Sequence, residues 1–161
     1  KARFEVVLDN ARFCSSPNPP YAKRSTILPK YTISVVNGKR LLSGNTTIIE
    51  PTPFLNFSGR TYTVDDAGRR LIKFQITHVS CRNIMVKALL VFGNISYTSR
   101  NCMMNTGIYR YENLDLNKVS HALPGYQLPG LAVHELQLVT AGATEFCHEI
   151  TVRIVDPTSN K

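Results

Sequence analysis

The groups in this chain with chemical reach are four cysteines, Cys14, Cys81, Cys102 and Cys147, four histidines, His78, His121, His134 and His148, and a thin scatter of acids. General acid-base work needs paired carboxylates or a histidine with an orienting partner. Asp65-Asp66 instead sits in a turn-like stretch, and Glu145 and Glu149 flank Cys147. The histidines hold no metal-ligand spacing with cysteines or carboxylates, and Cys147-His148 is not a zinc pattern. Ser80-Cys81 lacks the glycines of a nucleophile elbow. No catalytic residue, cofactor or metal is expected, and the sequence argues against an enzyme.

What remains for the cysteines is pairing. An even cysteine count coexists with three glycosylation acceptors, at Asn45, Asn56 and Asn94. Oxidation and N-glycosylation both occur in the secretory pathway, so a secreted or extracellular glycoprotein with disulfide bonds is expected, a lysosomal lumen being the other compartment that fits. Four cysteines allow three pairings. The chain opens Lys1-Ala2-Arg3-Phe4 without a hydrophobic leader, which reads as a product whose signal peptide has been removed. No apolar run is long enough to span a bilayer, so a soluble protein is expected.

A chain of 161 residues suits one domain over 1–161 and buries about 70% of its unfolded surface on folding. Hydrophobic residues make up 43% and charged ones 19%, a globular composition, so the bridges supplement a real core. The formal net charge of +8 favours anionic partners such as acidic headgroups or an anionic membrane surface. Dibasic pairs at Lys39-Arg40 and Arg69-Arg70 are the candidates for steering headgroups. Nucleic acid is not expected, since no zinc-finger, basic-zipper or RNA-recognition pattern is present.

The elements that must position these groups are strands. Phe4, Val6 and Leu8 alternate onto one face, and similar stretches recur at Tyr31 to Val36, Leu41 to Ile49, Leu71 to Val79, Ile84 to Phe92, Ala132 to Val139 and Phe146 to Val155. Turn chemistry separates them, at Pro51-Thr52-Pro53, Asp65-Asp66-Ala67-Gly68, Leu123-Pro124-Gly125, Leu128-Pro129-Gly130 and Ala141-Gly142. Asn37-Gly38 between two apolar runs is the strongest hairpin signal. Tyr109 to His121 does not alternate cleanly and has room for a helical turn. The expected fold is all-β, an immunoglobulin-like antiparallel sandwich of about seven to nine strands.

The stretch Leu128-Pro129-Gly130 through Leu138, a turn at Gly142, and Phe146-Cys147-His148-Glu149-Ile150 resembles the closing hairpin of the MD-2-related lipid-recognition (ML) family. Within it the nearest likeness is the GM2-activator branch, whose glycosylated strand opening is similar to Ser43-Gly44-Asn45-Thr46-Thr47. The chain lacks that branch's additional cysteines, and in this it resembles reduced-cysteine secreted families of insects. The resemblance implies Cys14 paired with Cys147 and Cys81 with Cys102. It also implies a lipid or other amphiphile bound between the sheets and carried to a membrane, receptor or enzyme. Candidate lipid contacts are Met103, Met104, Ile108 and Tyr109 after Cys102, Leu128 and Leu131 around the Pro-Gly turn, and Ile84 and Val86. The competing reading is an interaction or structural glycoprotein with a filled core.

Overall fold

The structure, a computed structural model, describes residues 4–122 and 128–158. Three antiparallel sheets build a sandwich. The large sheet runs in the order β1 (Glu5–Phe13), β11 (Ala143–Val155), β10 (Gly130–Thr140), β5 (Phe57–Val64), β6 (Arg70–Val79). Facing it is a sheet of β2 (Ile27–Val36), β3 (Lys39–Ile48) and β9 (Gly107–Leu114). A small sheet of two-residue strands, β4 (Thr52–Pro53), β8 (Met103–Met104) and β7 (Tyr97–Thr98), lies beside them.

Pairing register decides which residues face inward. Val6 stands opposite Ile154, Leu8 opposite Val152, His134 opposite Ile150, Leu136 opposite both His148 and Gly59, and Thr61 opposite both His134 and Phe74. Directly opposed residues share a face, so this row is the inner surface of the large sheet.

Two tight turns fix the hairpins. Asn37 and Gly38 between β2 and β3 have φ of 51° and 76°, and Ala141 and Gly142 between β10 and β11 have 52° and 76°. Two consecutive positive-φ residues match the right-handed twist of the flanking strands. The expected hairpin at Asn37-Gly38 is therefore present. The turn expected at Leu123-Pro124-Gly125 lies outside the described residues.

The strand expected over Ile84 to Phe92 is instead a helix, α1 (Ile84–Phe92). Asn83 caps it by accepting from the backbone N–H groups of Met85 and Val86, and Gly93 closes it with its N–H on Leu89 O. Val86 and Leu90, four residues apart, are its buried positions. Reading Ile84 as an inward residue fails for the same reason: it lies on the outer face of the helix, 75% exposed, as does Val91, 74% exposed. The non-alternating stretch after Tyr109 splits into β9 and a second helix, α2 (Leu116–Ala122). Among the described residues there are eleven strands, more than expected, because β5, β9 and the three short strands lack clean apolar alternation.

Both disulfides follow the pairing that the resemblance implied. Cys14–Cys147 spans 133 residues and Cys81–Cys102 spans 21. The first fastens the segment after β1 over the hairpin of β10 and β11, where Gln137 Nε2 donates to Asn18 O and Thr144 Oγ1 to Pro19 O. The second ties the start of α1 to β8 within a core of Phe54, Phe57, Val86, Leu90, Met104 and Leu138.

Candidate functional site

Between the two main sheets the packing leaves an apolar cavity with two adjoining lobes. The larger, about 210 Å³, lies between the sheets and is walled by Ile27, Tyr31, Ile48 and Tyr111 on one side and Leu136, Phe146, His148 and Ile150 on the other. The smaller, about 140 Å³, lies over Val6, Gly59, Thr61, Ile76, His134 and Val152 under the two helices. Phe57, Leu89, Leu116, Val119, Leu136 and Ile150 border both, which makes the lobes neighbours within one interior space. One water needs roughly 10–15 Å³ measured this way, so the larger lobe holds on the order of ten atoms or more.

The local cause is composition along the inner faces. Gly59 contributes no side chain where its neighbours on β6 and β10 are Ile76 and Leu136. On the facing sheet Gly44 stands between Tyr31 and Tyr111 in a cross-strand row. A Cβ there would collide with the Lys30 carbonyl oxygen and lie 3.0 Å from the Tyr111 hydroxyl, so only glycine lets the two tyrosines flank it.

Few polar groups reach this interior. In the smaller lobe His134 Nδ1 and Thr61 Oγ1 are 2.9 Å apart, and desolvation holds the His134 pKa below its usual value. Arg60 borders the same lobe, with its guanidinium on Glu135 at 3.0 Å. In the larger lobe His148 is 5% exposed, and its Nε2 has no hydrogen-bond partner among the described residues. Aromatic rings surround it, Phe13 at 4.3 Å, Phe146 at 4.5 Å and Tyr31 at 5.3 Å between centroids. Taking the imidazole out of water penalises its charged form and pushes its pKa down to about 4.

Of the eight candidate lipid contacts from sequence, Met104 is the one on the cavity wall. Met103 is half-buried on β8, and Tyr109 packs against the core with its hydroxyl donating to Asn105 O. Ile84, Ile108 and Leu128 are exposed, Val86 is fully enclosed in the core, and Leu131 lies on the outer face opposite Val64. Among the wall residues that sequence reasoning did not single out are Tyr31, Leu136, His148 and Ile150 of the strands and Met85, Leu90 and Phe92 of α1, the last three concealed by the strand reading of that segment. The signal for those three was the Asn83 and Gly93 caps, with Val86, Leu89 and Leu90 at helical spacing.

The dibasic pairs have intramolecular partners. Lys39 Nζ lies 3.9 Å from Asp115, Arg40 donates to Asp9 O, Arg69 pairs with Asp65 at 2.8 Å, and Arg70 pairs with Glu149 at 2.9 Å over the Tyr62 ring. Among the acceptor asparagines, Asn94 is exposed, while Asn45 on β3 and Asn56 before β5 are half-buried.

Among the described residues no helix is long and apolar enough to cross a membrane, and no cluster of three or more metal-ligating side chains occurs. Fold and site together define an all-β antiparallel sandwich, closed by two disulfides, with an apolar cavity between its sheets. Comparison of the chain with protein-family models and with curated proteins gives no match.

Proposed function

We propose that this protein is a secreted, glycosylated carrier that binds a lipid or other amphiphile between its sheets and presents it to a membrane, receptor or enzyme. The observation that carries this reading is the two-lobed apolar cavity, whose larger lobe is bordered, among the described residues, by no Lys, Arg, Asp or Glu. Well-packed interiors leave few voids larger than a water. A buried methylene contributes about 0.8 kcal/mol, so an acyl chain in these lobes gains several kcal/mol without any specific contact. Two disulfides and acceptor asparagines outside the buried core accord with passage through an oxidising, glycosylating compartment.

A membrane destination has support from α1, whose inner side walls the cavity while Ile84 and Val91 project outward around Lys87. Residues 80–111 carry Arg82, Lys87, Arg100 and Arg110 and no acidic residue, a charge balance suited to anionic headgroups.

Native mass spectrometry and lipid extraction of protein purified from its own host test the carrier reading. A stoichiometric lipid, lost when Leu136→Trp fills the space between the lobes, is the expected result. Protein that folds yet yields no lipid and takes up no added acyl chain would assign the function to the surface instead.

A further inference from the structure

We infer that the peptide bond between Arg24 and Ser25 is a proteolytic processing site, cut by a Lys-Arg-specific endoprotease of the secretory pathway to leave two chains joined by the Cys14–Cys147 disulfide. The inference rests on the secreted reading and adds a covalent modification that ligand carriage does not require.

Besides Lys39-Arg40 and Arg69-Arg70 the sequence carries a third dibasic pair, Lys23-Arg24. The first two are held in structure. Lys39 and Arg40 stand opposite Val36 and Val35 in the β2–β3 ladder, Arg69 O accepts from Asp65 N, and Arg70 stands opposite Val64 with its guanidinium on Glu149. An endoprotease must draw its substrate into an extended strand of its own, so backbone burial and hydrogen bonding decide which bonds it reaches.

Lys23-Arg24 differs on both counts. Both residues are exposed, and no residue from Ser15 to Thr26 is buried, so this connector between β1 and β2 opens at little cost in apolar contact. Among the described residues no hydrogen bond engages the backbone N–H or C=O of Lys23, Arg24 or Ser25; the bonds of Ala22 N to Thr144 O and of Thr26 N to Glu145 Oε2 mark the flanks. Neither cation has an ion-pair partner among the described residues. Both are therefore open to the acidic pockets with which a protease selects basic side chains.

Hydrolysis adds one water across the bond: the C–N bond breaks, the Arg24 carbonyl carbon takes the water oxygen and becomes a carboxylate, and Ser25 is left with an α-ammonium. That charge arises beside a carboxylate. The Ser25 hydroxyl donates to Glu145 Oε2 at 3.3 Å and Thr26 N donates to the same oxygen at 3.0 Å, while Glu145 has no cationic partner among the described residues. The shorter chain stays attached through Cys14–Cys147 and the β1–β11 ladder. The cut severs the covalent strap from β1 of the large sheet to β2 of the facing one, whose Ile27, Pro29 and Tyr31 wall the larger lobe.

The test exposes native protein to a Lys-Arg-specific serine endoprotease and reads intact mass and amino-terminal sequence with and without reductant, beside protein purified from its own host. One cut is expected, more than about tenfold faster than at Lys39-Arg40 or Arg69-Arg70, whose cleavage waits on opening of a ladder. The product gains the mass of one water, remains one species until reduced, and then yields a chain beginning at Ser25; Arg24→Gln abolishes the cut. In the cut protein the Ser25 α-amino group titrates above the roughly 7.7–8.0 of an ordinary terminus, and Glu145→Gln removes that rise without slowing the cut. Host protein carries the Ser25 terminus. Earlier cleavage at another dibasic pair, native protein resistant to doses that cut its unfolded form after Arg24, or disulfide-bonded host protein with the Arg24–Ser25 bond whole would overturn the processing site and leave the secreted carrier standing. Free thiols throughout the host protein would overturn the secreted reading itself.

Discussion

Glu135 on β10 and Glu149 on β11 stand directly opposite each other on the outer face of the large sheet, two carboxylates in a cross-strand pair. Like charges so placed repel. Arginines on both sides resolve the conflict: Arg60 holds Glu135 at 3.0 Å, and Arg12 and Arg70 each reach Glu149 at 2.9 Å. The Arg70 hydrogen bonds, and then those of Arg12, hold the Glu149 carboxyl below the ordinary carboxylate range. The ladder ties β1 and β6, the two edges of the sheet, to its centre.

Removing Arg70 leaves Glu149 facing Glu135 with only the exposed Arg12 as counter-charge. Arg70→Ala is expected to cost about 1 kcal/mol, a modest figure because the arginine is partly solvated. A double-mutant cycle with Glu149→Gln, read by urea unfolding, should recover most of that as coupling energy.

Acid should destabilise the protein in two stages. His148 has a folded-state pKa near 4 against 6.5 for the free group, so below pH 6.5 the unfolded chain takes up a proton that the folded one refuses. Stability falls as pH drops from 6.5 to 4, by about 3 kcal/mol from His148, and His148→Phe should remove that part while leaving the fall contributed by His134, whose pKa burial also lowers. Glu149, whose folded pKa is depressed, contributes stability that is present above its unfolded value of 4.5 and lost as pH falls through its lowered pKa. Glu149→Gln should remove only this lower stage of a denaturation curve measured against pH.

The two disulfides should differ in weight and in consequence. Loop closure predicts about 5 kcal/mol for Cys14–Cys147 and about 3 kcal/mol for Cys81–Cys102, given separations of 133 and 21 residues. Paired Cys→Ala substitution and chemical denaturation should preserve that order. Loss of Cys81–Cys102 loosens the attachment of α1, a wall of both lobes, so it should weaken acyl-chain binding more than its stability cost alone predicts.

Two glycines at the cavity should respond oppositely to alanine. At Gly59 a Cβ meets Ile76 and Phe57 at an ordinary 3.5 Å, so Gly59→Ala should stabilise by about 0.5 kcal/mol through reduced unfolded-state entropy. At Gly44 a Cβ collides with the backbone of β2, and Gly44→Ala should cost about 2 kcal/mol. Thermal unfolding of the two variants separates the cases.

Much of the sandwich is legible in the alternation of apolar residues. Val6 and Leu8, Leu136 and Leu138, and Val152 and Ile154 each repeat at the two-residue period and each lie on the inner face. The segment at Ile84 was misread because eight apolar residues in nine satisfy a strand period and a helix period at once, and only the caps at Asn83 and Gly93 discriminate. The cavity wall was nearly illegible: Met104 lines it and its neighbour Met103 does not, a difference set by which face of a two-residue strand meets the core.

The amino-acid order by itself determined most of the strand periods and the positive-φ turn at Asn37-Gly38, since each depends on residues within a few positions of one another. Tertiary structure alone decided that the first and last strands lie side by side, that Arg70 meets Glu149 across 79 residues, and that His148 turns its unpartnered nitrogen into the core. Alternation assigns every residue to one of two faces, but it carries no information about which strand becomes a neighbour or what the opposite sheet places across the gap.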